Sequence, residues 1–346
     1  MEKLLAQLKK RAKKNPKTIV FPESSDLRIL AATRQLIQKR YAKIILIGNR
    51  AVLQQKLKRM RFSPKPAWLR IIEPRHAPFF NSFVQQYYAL RKDKGITHTE
   101  ADTIMADPLY FGTMLVRNAM ADGIISGATH SKTITLRPAL QLLGKKGKRM
   151  SSFFLMEHHD KYYLFADASV NIDPTAEELA DIAVTTADSA KQLFTIKPRV
   201  ALLSFSTHGS NKHPLAQKVS RASTLAIKQR PLYQIDGELQ ADAALFPQVC
   251  RFKCSTCRLK GKANILIFPD LSSANIAYKL VEWLGQYEAV GPILQGLEKP
   301  ANDLSRGCVV QDIVDLAVIT VVQAQLAEHA AKNKKSKNRK KSRRSA

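Results

Sequence analysis

A chain of 346 residues with 45% hydrophobic side chains can fill two separate cores, which excludes a wholly disordered chain. Four cysteines, at 250, 254, 257 and 308, are too few for a disulfide framework and suit a reducing compartment. The net charge is +28, and removing the nine Lys/Arg of Lys332–Ala346 leaves 28 − 9 = +19, so the body of the chain attracts polyanions as well as its tail.

In chain order, MEKLLAQLKKRAKK is a basic amphipathic start without the apolar core or cleavage site of a secretory signal. Lys17–Glu23, Asp26–Arg40 and Ala42–Gly48 read as strand, helix and strand, a βαβ unit that predicts a parallel sheet. A short strand is expected at Leu69–Ile72, then a helix over Phe79–Lys92 with Arg91 at its exit. ADGIISGATHSKTITLRPAL, from Ala121, runs from a strand through a turn into a helix. Gly127 permits close backbone approach, and Thr129 and Ser131 offer donors at the carboxyl end of a strand, the usual ligand edge of an open α/β sheet. Arg137 precedes Pro138, which restricts its backbone. His130, taken by itself, reads as structural.

Gly144–Met150, GKKGKRM, reads as a basic linker into a second domain. Two strands in a hairpin-like pair follow, then a helix start with Asp173 as N-cap and Pro174 at N1. The strand from Arg199 leads into SFSTHGSNKHP, where Ser206 and Thr207 lie on a small-residue turn suited to a phosphate or carbonyl, without the spacing of an ATP loop. Asp236, Glu238 and Asp242 group three carboxylates, best read as a cap and ion-pair partners rather than a Mg²⁺ site. Cys250-x3-Cys254-x2-Cys257 invites zinc, but a structural site wants four ligands, and a fourth such as His208 or His213 would have to be brought in by the fold. No metal is therefore expected, and the thiols read as incidental or redox-sensitive.

Lys299–Asp315, KPANDLSRGCVVQDIVD, carries the most chemistry. Ile313, Leu316, Ala317 and Val321 recur at helical spacing, so Ser305, Arg306 and Gly307 should lie on a loop with Asp312 in the first helical turn. Such a loop presents free N–H groups and the positive end of the helix dipole, and Arg306 adds a planar fork matched to phosphate oxygens. The apolar stretch Ile313–Ala327 is interrupted by Asp315, Gln323 and Gln325 and falls short of the ~20 residues of a membrane span, so a cytoplasmic protein with no membrane partner is expected.

The chain resembles the phosphate acetyl/butyryltransferase family, the phosphate acetyltransferases in particular. The resemblance runs over most of residues 17–327, through FPESSDLRILAA, YYALRKDKG, ADPLYFGTMLVRNAMADGIISGATHSKTITLRPAL, NIDPTAEELADIA, LSFSTHGSNKHPLAQKV, DGELQADAAL, GKANILIFPDLSSANIAYKL and GPILQGLEKPANDLSRGC. It implies two α/β domains with largely parallel sheets and an active-site cleft between them, resembling the isocitrate/isopropylmalate dehydrogenase-like fold. The domains are expected at 1–147 plus 293–330 and at 148–292, with 331–346 a disordered basic tail able to attract polyanions nonspecifically.

The resemblance further implies a homodimer of acetate metabolism that exchanges an acetyl group between coenzyme A and phosphate, giving acetyl phosphate. Coenzyme A and acetyl-CoA enter as substrates, with no tightly bound cofactor, and a substrate carrying several phosphates suits the basic body. Asp312 would take the thiol proton, Ser305 would hydrogen-bond the reacting groups and Arg306 would stabilise transition-state charge. Arg91 and Arg137, with Thr129, Ser131, Ser206 and Thr207, would hold phosphate or coenzyme A. An ordinary aspartate is a weak base for a thiol, so this assignment calls on desolvation when the site closes. Three alternatives stay open: a longer acyl chain, as in phosphate butyryltransferase; a noncatalytic binding or regulatory protein of transferase-like fold; and acylation of Cys308 in a ping-pong scheme.

Overall fold

The structure is a computed structural model that describes residues 1–342 in backbone and, Glu2 apart, residues 1–333 in side chains. Eleven strands are present among them: β1 (Lys17–Phe21), β2 (Ala42–Ile47), β3 (Leu69–Ile72), β4 (Gly123–Ser126), β5 (Ser151–His158), β6 (Lys161–Ala166), β7 (Arg199–Leu203), β8 (Gln234–Leu239), β9 (Ile265–Ile267), β10 (Glu288–Gln295) and β11 (Ala301–Asp303). The chain divides into two compact units. The first holds Leu5–Leu143 and the chain from Glu298 on; the second holds Met1–Leu4 and Gly144–Leu297.

In the first unit the sheet order is β11-β4-β1-β2-β3, and every pairing is parallel. The helix Leu27–Gln38 makes the crossover from β1 to β2. Asp26 caps it by accepting from the Arg28 N–H, and Ile29, Leu30, Leu36 and Ile37 form its buried face, the i, i+3, i+4 pattern of an amphipathic helix. The helix Val310–Ser342 has a different logic. Ile313, Val314, Leu316–Ile319, Val321 and Val322 are all buried, so its apolar run has no polar stripe because it is a core helix. By length and composition Val310–Asn333 would suffice to cross a membrane, but two-thirds of the apolar 18-residue window within it is buried.

This helix continues through Ser342, over most of the stretch expected to be disordered; residues 343–346 lie outside the described residues. Lys, Arg and Ala are good helix formers, and a buried helix supplies the nucleus that an isolated segment lacks. The composition reported the want of a core there, which is a different property from the want of a helix.

In the second unit the order is β10-β5-β6-β9-β7-β8. β10, β5 and β6 are antiparallel, while β6, β9, β7 and β8 are parallel, so this sheet is mixed. The long helix Ala176–Phe194 begins two residues later than Asp173-Pro174 suggested. Its N-cap is Thr175, in a reciprocal capping box with Glu178, which satisfies two orphan donors at once.

Candidate functional site

Within the first unit the candidate residues collect at the carboxyl ends of β4 and β11. β11 ends at Asp303 and the chain opens into the loop Leu304–Val309 before the long helix. Ser305, Arg306 and Gly307 are exposed, as is Asp312 in the first helical turn. The Ser305 Oγ accepts from the Gly307 N–H at 3.3 Å and the Ser305 carbonyl from the Cys308 N–H at 3.0 Å. The Asp312 Oδ2 accepts the Val309 N–H at 2.8 Å, which holds its carboxylate back over the loop. The guanidinium of Arg306 makes no protein hydrogen bond among the described residues, so its donors are available.

β4 leads into the turn Gly127–His130. Its backbone is held by one buried carboxylate, from the segment FPESSDLRILAA. Glu23, just past β1, accepts at Oε2 from the N–H groups of Gly127 (2.7 Å) and Ala128 (2.8 Å). Its Oε1 accepts from the N–H groups of Thr129 and His130 (3.0 Å each), from the Thr129 hydroxyl (2.8 Å) and from the His130 Nδ1 (2.7 Å). Burial pushes this carboxyl up, yet the hydrogen bonds from His130, Thr129 and Ala128 outweigh it and hold the group below the ordinary glutamate range, so it carries full charge at neutral pH. Gly127 sits at φ +107, and a Cβ there would lie 2.5 Å from the Asp303 Oδ1. Only glycine fits between the two strand ends.

Arg28, from the same segment, joins the two loops. Its Nη1 donates to the carbonyls of Arg306 and Cys308 at 2.8 Å each, and its Nη2 to the Ala128 carbonyl at 2.9 Å. Asp26 orients the guanidinium through Oδ1 and Oδ2. The Leu304 N–H donates to the Ser126 carbonyl at 2.7 Å. Thr135, on the helix Lys132–Leu143, donates to the Asp303 Oδ1 at 2.6 Å. The other carboxyl oxygen of Asp303 is buried without a partner, and burial raises this group to about 6.

Thr129, Ser131, Ser305, Arg306 and Asp312 are therefore brought onto one hydrogen-bonded pair of loops. Arg91 and Arg137 stand outside that set. Arg137 is exposed on the Lys132–Leu143 helix, within electrostatic range of the Tyr110 hydroxyl. Arg91 ends the helix Phe80–Arg91, and its Nε is a buried donor with no partner among the described residues. A hollow of about 1130 Å³ lies elsewhere in this unit, beside β3 and lined by Leu57, Phe62, Arg70 and Phe79. None of the candidate residues faces it.

Ser206 and Thr207 lie in the second unit, on the turn after β7. Their hydroxyls are already engaged. Ser206 is fully buried and donates to the Glu238 Oε1 at 2.9 Å, while its Oγ accepts the Asn211 N–H at 3.0 Å. The Thr207 Oγ1 accepts the Gln240 N–H at 3.0 Å. What this turn exposes is His208, Gly209, Ser210, Asn211 and Lys212. The three acidic residues of this region diverge: Asp236 faces His208, Glu238 closes the turn, and Asp242 pairs with Lys253 at 2.7 Å. No group of three or more His, Cys, Asp or Glu placed to hold a metal occurs among the described residues.

The profile of the family described as phosphate acetyl/butaryl transferase matches residues 3–321. The chain is 44% identical over 329 residues to the phosphate acetyltransferase of Acetivibrio thermocellus, covering 93% of this chain and 98% of that one. It is also 44% identical over 308 residues to the phosphate acetyltransferase of Bacillus subtilis, covering 88% and 94%. Among solved structures, a phosphotransacetylase from Streptococcus pyogenes superposes with a TM-score of 0.89 at 42% identity, covering 94% of this chain and 98% of that chain.

Proposed function

Since the chain belongs to the phosphate acetyl/butaryl transferase family, we propose that it transfers an acetyl group reversibly between coenzyme A and inorganic phosphate, giving acetyl phosphate. The observation that carries this reading is the exposed Ser305-Arg306-Gly307 loop at the head of a buried helix, with unpaired guanidinium donors on Arg306 and the Asp312 carboxylate one turn on. A helix start and a free guanidinium form an anion site, and a carboxylate beside it provides a proton acceptor.

The transfer is direct, in a ternary complex. Asp312 accepts the proton of the coenzyme A thiol, and the thiolate attacks the carbonyl carbon of acetyl phosphate. The carbon–oxygen bond to phosphate breaks, and phosphate leaves. Ser305 hydrogen-bonds the reacting groups and Arg306 stabilises the negative charge of the tetrahedral species. Thr129, Ser131 and Arg137 contribute to phosphate and coenzyme A binding, and the orphaned Arg91 Nε is a donor kept for substrate. Ser206 and Thr207 shape their turn from within, as do the Gly209 N–H and the Ser210 hydroxyl, leaving Lys212 as its outward donor to coenzyme A. Coenzyme A and acetyl-CoA are substrates, and no tightly bound cofactor or metal enters the scheme. A cytoplasmic homodimer is part of the same proposal.

The test is phosphate-dependent release of free coenzyme A thiol from acetyl-CoA by the purified full-length protein, with butyryl-CoA alongside. R306A should lose about 10²–10³ in kcat, the usual effect of removing one donor to an oxyanion. Thiol release that ignores phosphate, or an R306A protein as active as wild type, would sink the reading.

A further inference from the structure

The second unit carries a sulfur cluster that acetyl transfer does not use. The helix Pro247–Lys253 ends at Cys254, and the Cys257 N–H returns to the Cys254 carbonyl at 3.2 Å. Cys254-Ser-Thr-Cys257 is thus a Cys-x-x-Cys turn. Closing such a turn brings the two Cα atoms within about 7 Å, the spacing a disulfide needs. Both residues are free thiols.

Both are buried, and it is their hydrogen-bonding partners that differ in a way that assigns roles. The Cys254 Sγ lies 3.0 Å from the His208 Nδ1, and the His208 Nε2 lies 2.9 Å from the Asp236 Oδ1. Asp236 is buried and fixed by the N–H groups of Gly237 and Arg258. With the Nε2 proton directed at this carboxylate, Nδ1 is left to accept the thiol proton. That is the nucleophile, base and orienting acid in sequence. Cys257 has no such base; it is buried beside Cys250, and burial raises its thiol to about 12. It suits a resolving thiol rather than an attacking one. His208 is also a member of the turn after β7. It sits at φ +45 with its N–H on the Glu238 carbonyl, so its two side-chain contacts help to hold Ser206–Ser210.

We propose that Cys254 and Cys257 form a redox-sensitive dithiol, and that its closure to a disulfide releases His208 and slackens the Ser206–Ser210 turn. The oxidant is a low-molecular-weight disulfide, RSSR. The Cys254 thiol gives its proton to the His208 Nδ1, and the thiolate attacks one sulfur of RSSR. The S–S bond breaks and one RS⁻ departs, taking a proton to become RSH. The Cys257 thiol attacks the Cys254 sulfur of the mixed disulfide, and its proton leaves with the second RS⁻, which departs as RSH. Two cysteine thiols are oxidised, and one RSSR is reduced to two RSH. The link to activity rests on the proposed role of this turn in substrate binding.

The experiment equilibrates the full-length protein in glutathione buffers of graded reduced-to-oxidised ratio. Free thiols are trapped with an alkylating agent for peptide mass analysis, and amide exchange is followed over residues 204–213. Acetyl transfer is measured after the buffer thiols are removed. Oxidation should convert the 254–257 peptide from doubly alkylated to internally bridged and speed exchange in the turn. It should also lower kcat/KM about fivefold, about 1 kcal/mol at 1.4 kcal/mol per tenfold. C257S should keep the reduced activity and, in oxidised buffer, stop at a glutathione mixed disulfide on Cys254 with no internal bridge, while C250S should respond as wild type.

The proposal is overturned if Cys254 and Cys257 stay alkylatable at every ratio, or if the bridge forms with exchange and kcat/KM unchanged. It is also overturned if the purified protein carries stoichiometric zinc that shields these thiols from alkylation. Were the reduced protein to transfer no acetyl group, the functional reading would fall, and the alkylation and exchange data would still decide the switch.

Discussion

Replacing Glu23 by Ala should unfasten the turn after β4. Four backbone N–H groups, one hydroxyl and one imidazole nitrogen converge on this carboxylate. Thr129 and His130 are exposed, so water can replace the lost acceptor there; Gly127 and Ala128 are buried, so their N–H groups would be orphaned. At about 1–3 kcal/mol for each buried donor left unsatisfied, the loss is about 2–6 kcal/mol, with E23Q between wild type and E23A because an amide oxygen can still accept. The assay is urea unfolding in a W283F background. The protein has two tryptophans, and Trp68, the one that remains, lies in the first unit. The pH dependence has a fixed sign. The Glu23 carboxyl is held below its ordinary value of 4.5, so its contribution is present above that value and fades as pH falls through the depressed one. Wild type and E23A should therefore converge in acid. An E23A protein within about 0.5 kcal/mol of wild type at neutral pH, with full acetyl transfer, would refute both the structural reading and the placing of this turn at the site.

Four further outcomes are expected. Asp303 titrates at about 6 against an ordinary 3.8 because it is buried; its stabilising neutral form is lost as pH rises through that range, a drop on the order of 3 kcal/mol, and D303N unfolding followed from Trp68 should lack this slope. D312N should cut turnover by about 10²–10⁴ with coenzyme A binding by calorimetry nearly unchanged, and unchanged turnover would remove Asp312 from the mechanism. C308A should transfer acetyl at the wild-type rate, because burial raises the Cys308 thiol; a dead C308A would favour an acyl-enzyme. Deleting residues 332–346 should leave activity intact while weakening retention on a polyanion column, and loss of activity would make the tail part of the enzyme.

Much of this was legible in the sequence, and what was not has a common cause. The crossover of the first unit followed from apolar periodicity, and the loop before Asp312 followed from the change of pattern at Gly307. Helix capping was read two residues early because Asp173-Pro174 and Thr175 with Glu178 both carry a start signal. Only the reciprocal hydrogen bonds of the latter decide between them. Glu23 and Arg28 were invisible as organisers because their partners lie 104 and 278 residues away. A glutamate after a strand announces nothing until the fold aims six donors at it. Ser206 and Thr207 carry hydroxyls suited to a ligand, but sequence cannot tell that a hydroxyl is already committed to a neighbour.

The two units, each taken by itself, build a donor-rich turn in the same way. In the first, the turn follows β4, and its N–H groups are gathered by Glu23 from the end of β1, the neighbouring strand. In the second, the turn follows β7, and its Gly209 N–H and Ser206 hydroxyl are gathered by Glu238 of β8, again the neighbouring strand. Burial pushes the Glu238 carboxyl up, and the Gly209 N–H and Ser206 hydroxyl more than reverse it, so the group is held low. In both, a charged group inside the sheet edge does the work that a bound anion would otherwise do for the backbone. The consequence is preorganisation: the turn keeps its shape before substrate arrives, and its exposed groups are fixed in direction. It also explains why a basic chain buries these two acids, since each neutralises the field of the donors it collects.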